Sequence, residues 1–275
     1  MSVSTDTGTN AYDTLASAFA QYGLQSLLPK IKEYMQSGIT DQASLMLTLR
    51  ASAEYKARFP AMAALNQKGR GFSEADYINY ERNAAQTEQQ YGFPKGFLTD
   101  SHRIAGMLEN DVSASELNDR AKINAAVSLD ASKETKDALS RLYGLDQGAV
   151  AAFYFDPDNS IDYLAKQSAS AQIAGQAARQ QVDIDRATAE SLQAQGITDS
   201  QAAQGFATVA GLGGLQTGAG EVVTQQDLVG AAFGKAPEGQ KVQRVAAGRA
   251  AQFQSGGSAQ ATQGGISGLG QSATR

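Results

Sequence analysis

Cysteine and tryptophan are absent from this chain, and histidine occurs once, at His102. Without cysteine there is no disulfide framework and no thiolate metal site. A single histidine excludes two-histidine metal sites and most nucleophilic arrangements that need a separate base. Proline is scarce, with five residues, and no apolar run approaches the roughly 18 residues that a membrane-spanning helix needs. The stretch from Met1 to Asn10 has neither a basic n-region nor an apolar h-region, so we expect no Sec export and synthesis in the cytoplasm. Aromatics are few as well, at 7%.

What is abundant is small or polar: Ala, Gln, Ser and 28 glycines in 275 residues. With 42% hydrophobic residues, that mixture favours helices packed through small side chains. The net charge is −5, but residues 203–275 carry five Lys/Arg against three Asp/Glu, leaving 18 against 25 before them. A mildly acidic body thus precedes a near-neutral end, and neither has the dense basic surface of a nucleic-acid binder.

Cap residues and 3.6-residue periodicity predict an all-α chain of short to medium helices joined as helical hairpins. Asn10 can cap a helix over 11–22, and a second should run from Leu24 to Gln36, with Pro29 in its first turn or bending it. Thr40 is expected to cap Asp41 to Arg50. A short helix from Ser52 to Phe59 follows, and Pro60 restarts the chain as far as Asn66. Ser73 with Asp76 forms a capping-box start to the longest helix, Glu74 to Tyr91, whose polar face of Glu81, Arg82, Gln86 and Glu88 should be wet. Further helices are expected over 100–110, 113–129, 130–143, 146–155, 160–180, 185–195 and 199–210. Tyr22-Gly23-Leu24, Tyr91-Gly92-Phe93 and Tyr143-Gly144-Leu145 end helices alike, and Gly38-Ile39-Thr40-Asp41 matches Gly196-Ile197-Thr198-Asp199. Glycine supplies the left-handed cap residue at each joint.

The densest run of aromatics lies between Tyr55 and Asp100, which makes Tyr55, Phe59, Tyr77, Tyr80, Tyr91 and Phe97 the expected organisers of the core. The predicted layout is a flexible N-terminus over 1–10, a helical domain over 11–210, either one body or two subdomains divided near 145–160, a Gly-rich linker with short helices over 211–254, and an extended Gly/Ser/Gln tail over 255–275.

No motif for catalysis, cofactor or metal binding survives inspection. Asp156-x-Asp158-x-Ser160-x-Asp162 opens like a calcium loop, but Ile161 stands where the loop needs Gly and Gln167 where it needs Glu, so an Asx-Pro turn and a helix cap explain it. Gly230-Ala-Ala-Phe-Gly234-Lys235-Ala236 is one residue too short for a phosphate loop and lacks its Ser/Thr, which leaves a helix terminator. Carboxylate pairs such as Glu81 with Glu88 or Asp183 with Asp185 also read as solvated or capping groups. Lys56, Arg58, Lys68 and Arg70 sit among aromatics as in single-strand binders, yet Glu54, Glu74 and Asp76 interleave with them, and intrachain pairing is the expectation. Candidate partner contacts are the small-residue face of Ala169, Ala171, Ala174, Gly175 and Ala178, the linker glycines Gly211, Gly213, Gly214 and Gly220, and Ile266 and Leu269 in the tail.

Glu54-Tyr55-Lys56-Ala57-Arg58-Phe59-Pro60-Ala61-Met62, Ser73-Glu74-Ala75-Asp76-Tyr77 and Tyr80-Glu81-Arg82 resemble blocks of virion structural proteins of tailed bacteriophages. The resemblance continues through Tyr91-Gly92-Phe93-Pro94, Asp111 to Leu117, Tyr143-Gly144-Leu145, Phe155-Asp156-Pro157 and Ile173-Ala174-Gly175, covering roughly 11–210. Such minor tail or internal virion proteins bring no catalytic residues with them. The resemblance implies a non-enzymatic virion component, in or near the tail or head-to-tail junction or lodged inside, made in the host cytoplasm. Its implied partners are other virion proteins, among them portal, adaptor, tail or tape-measure components, and further copies of itself, with DNA contact as a further option. The alternatives are a virion-associated cell-wall-degrading enzyme and a DNA-contacting ejection protein.

Overall fold

The computed structural model describes residues 16–17, 19–20, 22–39, 41–217 and 221–252, and among them every regular element is a helix. The expected N-terminal cap Asn10, Thr40, Gly220 and the tail with Ile266 and Leu269 lie outside the described residues. After helical residues 16–17 and 19–20, a 3-10 turn at Gln25–Leu27 leads into α1 (Leu28–Gln36). Then come α2 (Gln42–Ala51), α3 (Ala53–Arg58), α4 (Met62–Gln67), α5 (Glu74–Gln90), α6 (Ser101–Glu109) and α7 (Ala114–Ser128). They are followed by α8 (Lys133–Tyr143), α9 (Gln147–Tyr154), α10 (Ile161–Arg179), α11 (Arg186–Ala194), α12 (Asp199–Gly211) and α13 (Gln225–Ala232), and by α14 over residues 236–252.

Side-chain caps set most of the starts. Asp41 accepts from the Ser44 amide at 2.8 Å, Ser52 from Tyr55, Ser132 from Thr135 and Asp185 from Thr188. Ser73 with Asp76, Thr198 with Gln201 and Thr224 with Asp227 close full capping boxes, each satisfying two amides that the first turn leaves without a partner. The second expected helix is divided: Pro29, which lacks an amide proton, falls in the first turn of α1, and the three residues before that helix wind as 3-10.

Many of the stops share one geometry. Gly23, Gly38, Gly92, Gly144 and Gly196 all have φ between 65° and 93°, and the apolar residue after each folds back over the helix end. Phe93 N–H bonds the Glu88 carbonyl and Ile197 N–H the Leu192 carbonyl, five residues back, at 2.9 and 3.1 Å. Two further joints are built on residues other than glycine. Asp111 (φ 66°) precedes Val112, which bonds the Met107 carbonyl, and Gln181 (φ 58°) precedes Val182, which bonds Ala177.

The chain divides into two compact units, one made of residues 1–125 and 151–164, the other of 126–150 and 165–275. In the first, Tyr55, Phe59, Tyr77 and Tyr80 are buried with Leu65, Leu98, Ile104, Leu117 and Phe155, while Tyr91 and Phe97 are half-buried against the same core. Phe59 stands 5.1 Å from the Tyr55 ring and edge-on to Tyr77 at 5.3 Å. Phe93, Phe97 and Phe155 form a second aromatic group, with the Arg103 guanidinium 4.6 Å from the Phe97 centroid.

The second unit is built of smaller pieces: Ala138, Ala174, Ala177, Ala189, Ala202, Val209, Val223 and Leu228, with Phe206 its one buried phenylalanine among the described residues. No boundary falls at Gly211. Leu212 and Leu215 pack on this core, Val223 and Leu228 lie within it, and Val242 and Val245 of α14 join it, so 211–217 and 221–252 are held by tertiary packing that local composition does not reveal.

Candidate functional site

Helix α5 carries Glu74, Glu81 and Glu88 at seven-residue spacing, which places three carboxylates along one line of the helix. Each holds a different neighbour. Glu74 Oε1 accepts from Arg50 Nε and from the Tyr55 hydroxyl, both at 2.7 Å. Glu81 takes both terminal nitrogens of Arg58 at 2.7 Å, and Arg58 Nε reaches the Gly23 carbonyl at 3.1 Å. Glu88 accepts from the amides of Gly96 and Leu98, each at 2.8 Å. This overturns the expectation of a wet polar face at Glu88, which is only 6% exposed, its carboxyl oxygens being satisfied by backbone donors in place of water. Arg82 and Gln86 on the same helix are exposed. Burial opposes the ionised form of Glu74, but Arg50 and the Tyr55 hydroxyl outweigh it and hold the carboxyl below its usual range. Burial pushes Tyr77 up to about 12, and raises Tyr55 with help from Glu74.

The four cations weighed as a nucleic-acid surface are mostly engaged. Arg58 is paired with Glu81, Arg70 with Asp111 and with the Leu108 carbonyl at 3.3 Å, and Lys68 donates to the Glu109 carbonyl. Lys56 and His102 are exposed.

The calcium-like turn closes around an arginine. Arg120, on α7, is 1% exposed, and its guanidinium donates to the carbonyls of Tyr154, Asp156 and Asn159 at 3.3, 2.8 and 2.7 Å. Its remaining donors go to Glu116 Oε1, one turn earlier, at 3.0 and 2.7 Å. The Asp156 carboxylate turns instead to the Asp158 amide at 3.0 Å. Among the described residues no three acidic or histidine side chains converge as metal ligands. Sequence reasoning passed over Arg120; the available signal was a Glu-x-x-x-Arg pair inside the apolar series Leu117, Ala121, Ala125.

In the second unit the small-residue face of α10 is largely taken up by the chain itself. Ala171, Ala174 and Gly175 are buried, Ala169 is half-buried and only Ala178 is exposed. A Cβ on Gly175 would lie 2.3 Å from Thr135 Oγ1 and 2.9 Å from Thr135 Cα, so the absent side chain admits the start of α8. Contrary to a role as exposed contacts, the three buried members are covered by the chain itself, and the face permits close approach within the unit. Gly211 and Gly214 are exposed and Gly213 half-buried, and the 3-10 turn Gly213–Gln216 is held by Arg249, which donates to the Gly214 and Leu215 carbonyls at 2.6 and 3.0 Å. Gly234 (φ 83°) terminates α13, with Lys235 N–H on the Gly230 carbonyl at 2.8 Å, which is the terminator geometry expected of that segment.

An open cleft of about 380 Å³ lies between Arg141, Asp183, Asp185, Thr188, Gln225 and Val229. Its groups already serve each other: Arg141 donates to the Ile184 carbonyl at 2.9 Å and pairs with Asp183 at 3.0 Å, and Asp185 caps α11. Comparison with protein-family models, with curated proteins and with solved structures finds no match to this chain.

Proposed function

We propose that this chain is a non-enzymatic structural component of a tailed-phage particle, working by helix packing against other virion proteins. The observation that carries the reading is where the phage-like blocks fall. Tyr55, Phe59, Tyr77 and Tyr80 lie in the first core, Tyr91-Gly92-Phe93 and Tyr143-Gly144-Leu145 form helix joints, and Phe155-Asp156-Pro157 enters the turn that closes on Arg120. The likeness therefore covers residues that build a scaffold. Two charged side chains buried with them, Glu88 and Arg120, are bonded to backbone, as in a fold-holding role.

The position in or near the tail or head-to-tail junction, or inside the particle, belongs to the same proposal, as does the presence of several copies. The test is quantitative mass spectrometry of density-purified particles. The reading expects peptides of this chain at a constant ratio to the major capsid protein through successive purification. Their loss from particles while they persist in the soluble lysate would overturn it. Peptidoglycan release by the purified chain would favour the cell-wall-degrading alternative.

A further inference from the structure

We propose that α14, residues 236–252, is a latch seated on α13 that opens as a unit while the rest of the second unit stays folded. The change in anchorage falls at Gly234. Just before it, Phe233 is wedged against α12: its ring lies 5.0 Å from the Phe206 ring, and a Cβ on Gly205 would come within 2.4 Å of Phe233 Cζ. Just after it, the chain turns through the left-handed Gly234, and a helix begins that places only Val242 and Val245 among the buried residues. Gly239 and Gly248 lie inside that helix, each about 1 kcal/mol less favourable than alanine. It is also tied by polar contacts at its edges, among them the half-buried pair of Lys241 with Asp227 and the bonds of Arg249 to the carbonyls of the 3-10 turn.

One contact also works against closure. The Glu238 side chain lies over Gly230, where a Cβ would be 2.8 Å from Glu238 Cγ, and Glu238 Oε2 is buried there with no hydrogen-bond partner. A carboxylate oxygen so placed regains water only when the helix lifts. The closed position thus depends on the absence of a side chain at Gly230, and includes an unsatisfied group that opening relieves.

Hydrogen exchange of the full-length chain, read by peptide, tests this. In the unaltered protein, amides of 239–250 should exchange at least about tenfold faster, relative to their intrinsic rates, than those of α12 and α13. Gly230→Ala should accelerate 239–250 by a further factor of roughly ten while leaving 225–232 no faster, since alanine favours helix α13 but collides with Glu238. Glu238→Met, which keeps the reach without polar atoms, should slow 239–250 by roughly fivefold or more. Exchange of α13 and α14 at one common rate in the unaltered chain would overturn the latch. So would acceleration of both helices together by Gly230→Ala, or faster exchange in Glu238→Met.

Discussion

In the first unit, helix α5 meets its neighbours through large rings and long charged side chains; in the second, α10 and α12 meet theirs through Gly175 and Gly205. The first core is thus specified by volume that is present, the second by volume that is missing. A ring such as Phe59 contributes about 1.5–3 kcal/mol by burial, and its removal leaves a void. A glycine at a crossing contributes no burial, but adding one methyl there collides with the neighbour that its missing side chain admits. The first unit should therefore be sensitive to truncation and the second to enlargement.

The largest effect is expected where charge, burial and topology meet in the first unit. Arg120→Met would leave the carbonyls of Tyr154, Asp156 and Asn159 and the Glu116 carboxylate without their donor, a loss of about 3–5 kcal/mol. Urea denaturation followed by unit-specific hydrogen exchange measures it. An unchanged first unit would mean that water replaces the guanidinium and that Arg120 does not hold the turn.

Alkaline pH separates the units next. Tyr55, Tyr77 and Tyr80 of the first unit are all raised by burial, Tyr77 to about 12, whereas in the second only Tyr143 is raised among the described residues. A phenol whose folded-state pKa is raised stabilises fully below the unfolded value of about 10, and that contribution is lost as pH rises above it. Each such tyrosine removes at most about 1.4 kcal/mol per pH unit in that window, so the first unit should lose stability more steeply than the second, a slope ratio above one. Urea midpoints compared across pH 9–11 (approximate limits set by the unfolded phenol), with tyrosinate absorbance as the second probe, check the ratio. Equal slopes for the two units would remove buried tyrosine as their distinguishing feature.

Enlarging the glycines tests the other half of the comparison. Gly175→Ala and Gly205→Ala should each destabilise the second unit by about 1–3 kcal/mol. They should differ in rescue. The added methyl at Gly205 meets the far end of the Phe233 ring, so Phe233→Leu should restore much of the loss. At Gly175 it meets the Thr135 backbone as well as its hydroxyl, so Thr135→Ala should restore little. Thermal unfolding of the two double variants decides this. Equal rescue would mean that both crossings are set by side chains.

These contrasts explain what was legible beforehand. Helix starts could be read because capping is local: Ser73 with Asp76 lie three residues apart and need nothing else. The all-helical class and the glycine joints followed for the same reason. Glu88 was misread because its partners, the Gly96 and Leu98 amides, lie across a turn and on a helix face that looks polar throughout. The small-residue face of α10 announced close approach, within the chain or between copies, without naming the neighbour; at Gly175 it is Thr135, forty residues away. Gly211 to Gly220 suggested a linker by composition, but Leu212, Leu215 and the reach of Arg249 bind residues 211–217 to a core whose members are scattered along the chain. Of the candidate contacts, the long-range ones were the least legible.

The smallest predicted effect is a gain. Gln181 ends α10 at φ 58°, the conformation that Gly23, Gly92 and Gly144 adopt at corresponding joints, and Val182 folds back to the Ala177 carbonyl as at those joints. An L-residue with a long side chain is strained there by about 1–2 kcal/mol, while glycine is not. Gly also has more freedom to lose on folding, which offsets part of the advantage. Gln181→Gly should therefore stabilise the second unit by about 0.5–1 kcal/mol, seen as a small rise in its thermal midpoint. The same exchange at Asp111 in the first unit should yield less, because Asp111 is paired with Arg70 and that pair would be lost. If Asp111→Gly gains as much as Gln181→Gly, the Arg70 pair contributes nothing and both units answer to backbone geometry alone at this kind of joint.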